Sequence, residues 1–179
     1  PDIYTNPPAG LYIERSATGH YLLRFANTAA NKGGRLEISV DYIGSKTIYQ
    51  NVYDQFVGGN RVMRQQVHSD LIYHPQHNHF HFAGFAQYEL LKKNEAGAFD
   101  VTIRAGSKTT FCIIDTVRLN GSGPTYPSYT SCGARQQGLS AGWGDTYYAA
   151  LFDQWIDVGT VNLTDGQYAI RSTADPDNR

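Results

Sequence analysis

Residues 74–82 read His74-Pro75-Gln76-His77-Asn78-His79-Phe80-His81-Phe82, which puts four of the chain's six histidines inside eight residues. Side chains alternate between faces along a strand, so a strand through this stretch turns His77, His79 and His81 to one side. Asn78, Phe80 and Phe82 turn to the other, and a face bearing phenylalanines needs a core to cover it. His74 falls out of phase with the three and precedes Pro75, which interrupts regular pairing; it reads as a neighbour of the set, not a member. His20 and His68 stand alone and read as structural or exposed.

Short runs rich in β-branched and aromatic residues, bounded by Gly, Asn or Asp, recur on both sides of this stretch. The opening ten residues are punctuated by proline and read as irregular apart from an early strand near Ile3. Further strands are predicted over 11–13, 21–25, 36–42 and 47–53. The histidine strand is predicted to continue through 85–91 with Gly84 at a bulge. Asn94-Glu95-Ala96-Gly97 then turns the chain into 99–104, and another strand covers 109–114. From Asp115 to Asp145 the pattern stops, leaving a loop of roughly thirty residues, a length that is usually functional. Strands resume at 146–152, 154–158 and 167–171, with Asp165-Gly166 as the last turn signal. No long stretch keeps helical periodicity, so the predicted fold is all-β, an antiparallel β-sandwich with long active-site loops.

The 179 residues, 41% of them hydrophobic, suit one domain over 1–179 with a sizeable core. The polar tail from Ala174 to Arg179 stops abruptly, and native sequence is expected beyond it. Fifteen Lys and Arg against sixteen Asp and Glu leave no nucleic-acid footprint. No apolar run approaches the ~20 residues of a membrane span. The absence of a signal-peptide pattern at the start fits a processed or excised domain. Cys112 and Cys132, in a chain rich in Tyr, Gly, Asn and Thr, predict a secreted or extracellular protein with one disulfide, worth roughly 3 kcal/mol for a loop of that size. Two buried free thiols are the alternative.

Three imidazoles on one face converge on a single ion if the strand bends or twists. Neutral imidazole suits copper, zinc, nickel and iron, whereas hard cations take oxygen. Met63 is the sole methionine, so soft ligands are scarce, and a three-nitrogen site with water in its open positions fits copper(II) or catalytic zinc. A set of surface histidines on a solvated face is the bland alternative. A zinc hydrolase or an oxygenase is a further one, although no nearby carboxylate has the spacing of a hydrolase motif.

Beyond His77-Asn78-His79-Phe80-His81 come Tyr88-Glu89-Leu90-Leu91, Lys108-Thr109-Thr110-Phe111-Cys112, Gln137-Gly138-Leu139-Ser140, Asp145-Thr146-Tyr147 and Gln154-Trp155-Ile156-Asp157. In this order and near this spacing, over most of the chain from His74 to Asp157, they resemble the lysyl oxidases, the front third being similar in style to microbial members. The resemblance implies a copper(II)-dependent amine oxidase whose second cofactor is lysine tyrosylquinone, a quinone made from its own side chains. It implies His77, His79 and His81 as copper ligands, and Lys108 and Tyr147 as the quinone's two parents and the catalytic centre. The residues alone leave Lys108 a solvated loop lysine and Tyr147 a core aromatic.

The implied reaction converts a primary amine such as peptidyl lysine, with O2, to an aldehyde, hydrogen peroxide and ammonia, the quinone acting as electron sink. Addition of Lys108 to an oxidised tyrosine needs a neutral amine, which burial near a cation favours. Gln87 stands where matrix-directed members carry a histidine proposed as general base. Glutamine cannot accept that proton, which leaves His74 and Asp145 as candidates. Those members also carry cysteines where this chain has Gln76, Trp143 and Asp153, so fewer staples are expected. A family calcium site would draw on Asp2 and on an acidic, asparagine-rich stretch beyond Arg179. The competing function class is a β-sandwich copper-binding or adhesive module that never makes the quinone. The 115–145 loop also allows an immature state in which Lys108 and Tyr147 lie apart.

Overall fold

The computed structural model describes residues 1–42, 46–53, 61–119, 123–161 and 163–178. Residues 120–122 of the predicted loop, and Arg179 of the tail, lie outside the described residues. The first half of the chain supplies β1 (Ile3–Thr5), β2 (Ala9–Arg15), β3 (Tyr21–Asn31), β4 (Leu36–Asp41), β5 (Thr47–Tyr53), β6 (Arg61–Val67), β7 (Leu71–His74) and β8 (His79–Ala83). The second supplies β9 (Ala86–Lys93), β10 (Phe99–Ala105), β11 (Thr110–Phe111), β12 (Val117–Arg118), β13 (Gln136–Leu139), β14 (Trp143–Tyr147), β15 (Trp155–Gly159) and β16 (Tyr168–Ala174). All named pairings are antiparallel, which agrees with the all-β expectation. Among the described residues no helix is long and apolar enough to cross a membrane.

The eleven-residue β3 is the spine, pairing with β1, β2, β14 and β15. Its sequence buries Leu22, Phe25, Asn27, Ala29 and Ala30, and small alanines let neighbouring strands approach. Asn31, fully buried at its end, donates to the Gly34 and Leu139 carbonyls and accepts from the Asp2 and Gly33 amides, so its burial leaves no amide atom unpaired. The other sheets are β13-β4-β5-β6, β11-β8-β7 and β10-β9-β16. All four send side chains into one cluster that includes Phe25, Ile38, Ile48, Phe82, Tyr88, Phe111, Leu139, Tyr147 and Ile156.

Three expectations are corrected. The histidine stretch is not one strand: β7 and β8 form a hairpin with Pro75 to Asn78 as its turn, Asn78 taking a left-handed φ of 55°. His74 pairs with His79 and Ile72 with His81, so His74 shares the face of His79 and His81 and is not out of phase. Gly84 is no bulge. At φ 75° it turns the chain so that β8 and β9 join different sheets, a conformation glycine adopts without steric cost.

The 115–145 loop is the third case, because β12, β13 and most of β14 lie inside it. These strands are short and poor in β-branched residues. Distant partners hold them, Gln136–Leu139 on β4 and Trp143–Tyr147 on β3. The strands β6 and β7 were also absent from the sequence reading. The disulfide is present, joining Cys112 to Cys132 with Cα atoms 5.3 Å apart.

Candidate metal centre and active site

The hairpin turn folds His77 back over its own stem, its amide donating to the His74 carbonyl at 3.1 Å. His77 Nδ1 then lies 3.3 Å from His81 Nε2, and His79 Nε2 lies 2.9 Å from the same atom. Two nitrogens each about 2.0 Å from one ion are about 2.8 Å apart at a right angle and about 3.3 Å apart at a tetrahedral one. The spacing of each pair therefore fits two nitrogens on one metal, with His81 common to both and a hairpin rather than a strand face bringing them together. The group whose ligating atoms all lie within 4.8 Å of one another, however, is His74, His77 and His81, without His79. His81 Nδ1 is 3.0 Å from Thr110 Oγ1; a proton on Nδ1 donated there leaves Nε2 free to ligate, the arrangement that fixes a ligand's tautomer. Sequence reasoning gave Thr110 no role, since the β8–β11 pairing alone brings it to His81.

Burial, followed by the positive charges of neighbouring groups, lowers the pKa of all three. For His77 these are His74, His79 and Lys108; for His79, His74 and Lys108. His81 falls to about 3 through burial and Lys108 first. Neutral imidazoles are the form that binds metal. His74 adds a fourth ring, stacked on His77 at 4.2 Å between centroids, and its ligating atom lies within 4.8 Å of those of His77 and His81. Phe152 covers His74 and His77 edge-on, at 5.9 and 6.1 Å. His79 also lies near Cys112 and Cys132, but the two sulfurs are bonded to each other and offer no thiolate.

Lys108 sits in the short connection between β10 and β11. That connection is clamped because the Ser107 amide donates to the Trp155 carbonyl and the Gly84 amide to the Thr109 carbonyl. Tyr147 ends the inward-facing series Trp143, Asp145, Tyr147 on β14. The fold brings the two together: Lys108 Nζ lies 5.5 Å from the centroid of the Tyr147 ring and 5.3 Å from that of Phe111. Lys108 is buried, so it is not a solvated loop lysine, while Tyr147 is a core aromatic as the residues alone suggest. Burial lowers the pKa of Lys108, with Asp153 and Asp145 opposing it. Burial also holds the Tyr147 phenol well above its ordinary range, followed by the Asp145 carboxyl.

Tyr147 Oη lies 2.6 Å from Asp145 Oδ2 and 2.9 Å from the Cys112 carbonyl oxygen. Nearby, the Tyr88 hydroxyl and both amide atoms of Gln154 are buried without a hydrogen-bond partner. Gln154 lies close enough to temper the upward shift that burial imposes on Tyr88, without the alignment of a hydrogen bond. Unpaired polar atoms this deep are costly. A cleft of about 370 Å³ reaches Lys108 from outside, between Ala83, Gly84, Gln87, Gly106 and Thr110. Gln87 itself is exposed on β9, while Gln137 ties the centre together by donating to the Phe80 carbonyl and accepting from the Ile113 amide.

Residues 50–179 match the family described as lysyl oxidase. The protein-lysine 6-oxidase of Homo sapiens is 34% identical over 105 residues, 58% of this chain and 23% of that protein. The Bos taurus protein of the same name is 29% identical over 184 residues, 98% of this chain and 41% of that protein. Lysyl oxidase homolog 1 of Homo sapiens is 32% identical over 105 residues, 58% of this chain and 17% of that protein. The chain thus spans less than half the length of these curated relatives. The matched region contains the four clustered histidines and the buried Lys108 and Tyr147, and the chain belongs to the lysyl oxidase family.

Proposed function

We propose that the chain is a copper(II)-dependent amine oxidase acting on primary amines, with peptidyl lysine as the substrate class that its relatives' name suggests. The observation that carries this reading is the buried Lys108 side chain over the Tyr147 ring, with the His77 and His79 ring nitrogens 3.3 and 2.9 Å from His81 Nε2. His77, His79 and His81 would hold the copper, and Lys108 and Tyr147 would together supply lysine tyrosylquinone. When present, that pair of groups accepts two electrons from the amine and passes them to O2, giving aldehyde, hydrogen peroxide and ammonia.

The chain's own residues do the rest. Burial favours the neutral amine of Lys108, the form that adds to an electrophilic ring. Phe111, edge-on to Tyr147 at 5.0 Å, holds the ring in place. Small residues along the cleft admit a slender alkylamine, and Phe152 packs edge-on against His74 and His77. Arg24 braces the segment after Tyr147 by donating to the Ala149 and Leu151 carbonyls and stacking on Trp155. An extracellular setting is part of the proposal, supported by the disulfide.

The test is peptide mass spectrometry on copper-loaded, air-exposed protein, with peroxide release measured alongside. A crosslink between the Lys108 and Tyr147 peptides, lost together with peroxide release in Lys108→Ala and Tyr147→Phe, is the expected result. Equal amine turnover in Lys108→Ala would sink the reading. Bound copper with both residues unmodified would instead indicate a metal-binding module.

A further inference from the structure

We propose that Asp145 is the proton acceptor for the Tyr147 phenol, the two side chains forming one acid–base pair; this deepens the function proposed above and rests on it. Alternation along β14 turns both residues into the core, where Asp145 is 2% exposed. The phenol carries one hydrogen, yet it faces two oxygens, Asp145 Oδ2 at 2.6 Å and the Cys112 carbonyl at 2.9 Å.

Two arrangements satisfy this geometry. With Asp145 protonated, its carboxyl donates to Tyr147 Oη and the phenol donates to the Cys112 carbonyl. With Asp145 ionised, the phenol donates to Oδ2 and its proton is aligned for transfer. In that transfer the Oη–H bond breaks and an Oδ2–H bond forms. The negative charge moves from carboxylate to phenolate, and no electron is gained or lost. A phenolate ring gives up electrons more readily than a phenol, so the transfer prepares Tyr147 for oxidation.

The surroundings suit a carboxyl that changes state. Burial raises its pKa to about 7, opposed by the Tyr147 hydrogen bond, the Ile114 amide, the Thr116 hydroxyl and the charge of Lys108. The Ile114 amide donates to Oδ2 at 3.2 Å. From β9 the Tyr88 hydroxyl faces the same region, itself held neutral by burial. The groups around Asp145 are therefore one cation, two phenols and two hydrogen-bond donors. A base with a pKa near 7 also accepts a proton from a phenol more readily than an ordinary aspartate does.

The first readout needs no metal. In metal-free protein with aspartate labelled at the carboxyl carbon, NMR follows the Asp145 titration. Loss of the phenol hydrogen bond in Tyr147→Phe is expected to move its midpoint upward, and an unmoved midpoint would overturn the pair. The second readout is the rate of the Lys108–Tyr147 crosslink in copper(II)-loaded, air-exposed protein at matched copper content. Asp145→Asn is expected to be on the order of a hundredfold slower, and Asp145→Glu, which keeps the base, faster than Asp145→Asn. Crosslinking of Asp145→Asn at the wild-type rate, or faster than Asp145→Glu, would show a structural role only. If the wild type makes no crosslink, the proposed function fails while the carboxyl titration still decides the pair.

Discussion

His81 is the most deeply placed histidine of the centre, at 3% exposure, and the nitrogens of His77 and His79 both aim at its Nε2. Its replacement by alanine is therefore expected to leave copper content below about a tenth of stoichiometric after desalting. His74→Ala, which removes the ring stacked on the proposed ligand His77, should bind copper with about tenfold weaker affinity, in the range of supporting residues. Metal analysis and chelator competition check both, and near-zero copper in His74→Ala would make His74 a ligand. Asp145 gives a second test at this scale. Burial pushes its carboxyl up to about 7 from an ordinary value of 3.8. Its contribution to stability is thus full below pH 3.8 and lost as pH rises through 7, with a limiting slope of about 1.4 kcal/mol per pH unit. Urea melts between pH 4 and 7 should show a shallower decline in Asp145→Asn.

At the scale of elements, the β7–β8 hairpin and the β11–β14 region are tied by the disulfide. The Cys112 carbonyl accepts from Tyr147, and the Cys132 carbonyl accepts from the Phe80 amide of the histidine strand. The bridge thus joins the two halves of the centre as well as closing a loop across a sequence separation of 20. Cys112→Ser with Cys132→Ser is expected to cost about 3 kcal/mol in urea unfolding, and to slow crosslinking beyond what that loss explains. Unchanged crosslinking in the folded double variant would limit the bridge to stability. Part of this level was legible in the sequence. Trp143, Asp145 and Tyr147 alternate, so their common face follows from strand geometry. The hairpin was not legible, because four histidines spaced for a strand also suit two strand ends and a turn, and only pairing energy between β7 and β8 chooses.

Across the whole molecule, a buried carboxylate ties the β13-β4-β5-β6 sheet to the segment before β13. Glu37 of β4 accepts from Asn51 and Tyr53 of β5 and from Tyr129 of the segment before β13. Burial works to raise its pKa, but the bonds from Tyr53, Tyr129 and Asn51 and the charge of Arg35 outweigh it and hold it low. A depressed carboxylate contributes stability above its unfolded value, about 4.5, that is lost as pH falls through the folded one. Glu37→Gln is expected to cost about 1–3 kcal/mol at neutral pH and to remove part of the acid-side decline. Thermal melts at pH 7 and pH 4 check this; an unaltered acid limb would assign the decline to other carboxylates.

The sequence by itself determined the all-β class, most strand positions and the disulfide partners, because alternation, turn residues and a cysteine pair are local signals; it proposed His77, His79 and His81 as ligands. Motif order was enough to single out Lys108 and Tyr147. Tertiary structure decided how they meet: β3 receives β14 and β15, the clamps on Ser107 and Thr109 fix the lysine's backbone, and burial shifts the charges. Such packing joins residues as much as 167 positions apart, as in the Thr5 hydroxyl donating to the Ser172 carbonyl. No local pattern encodes that contact, because its free energy exists only when the core is packed.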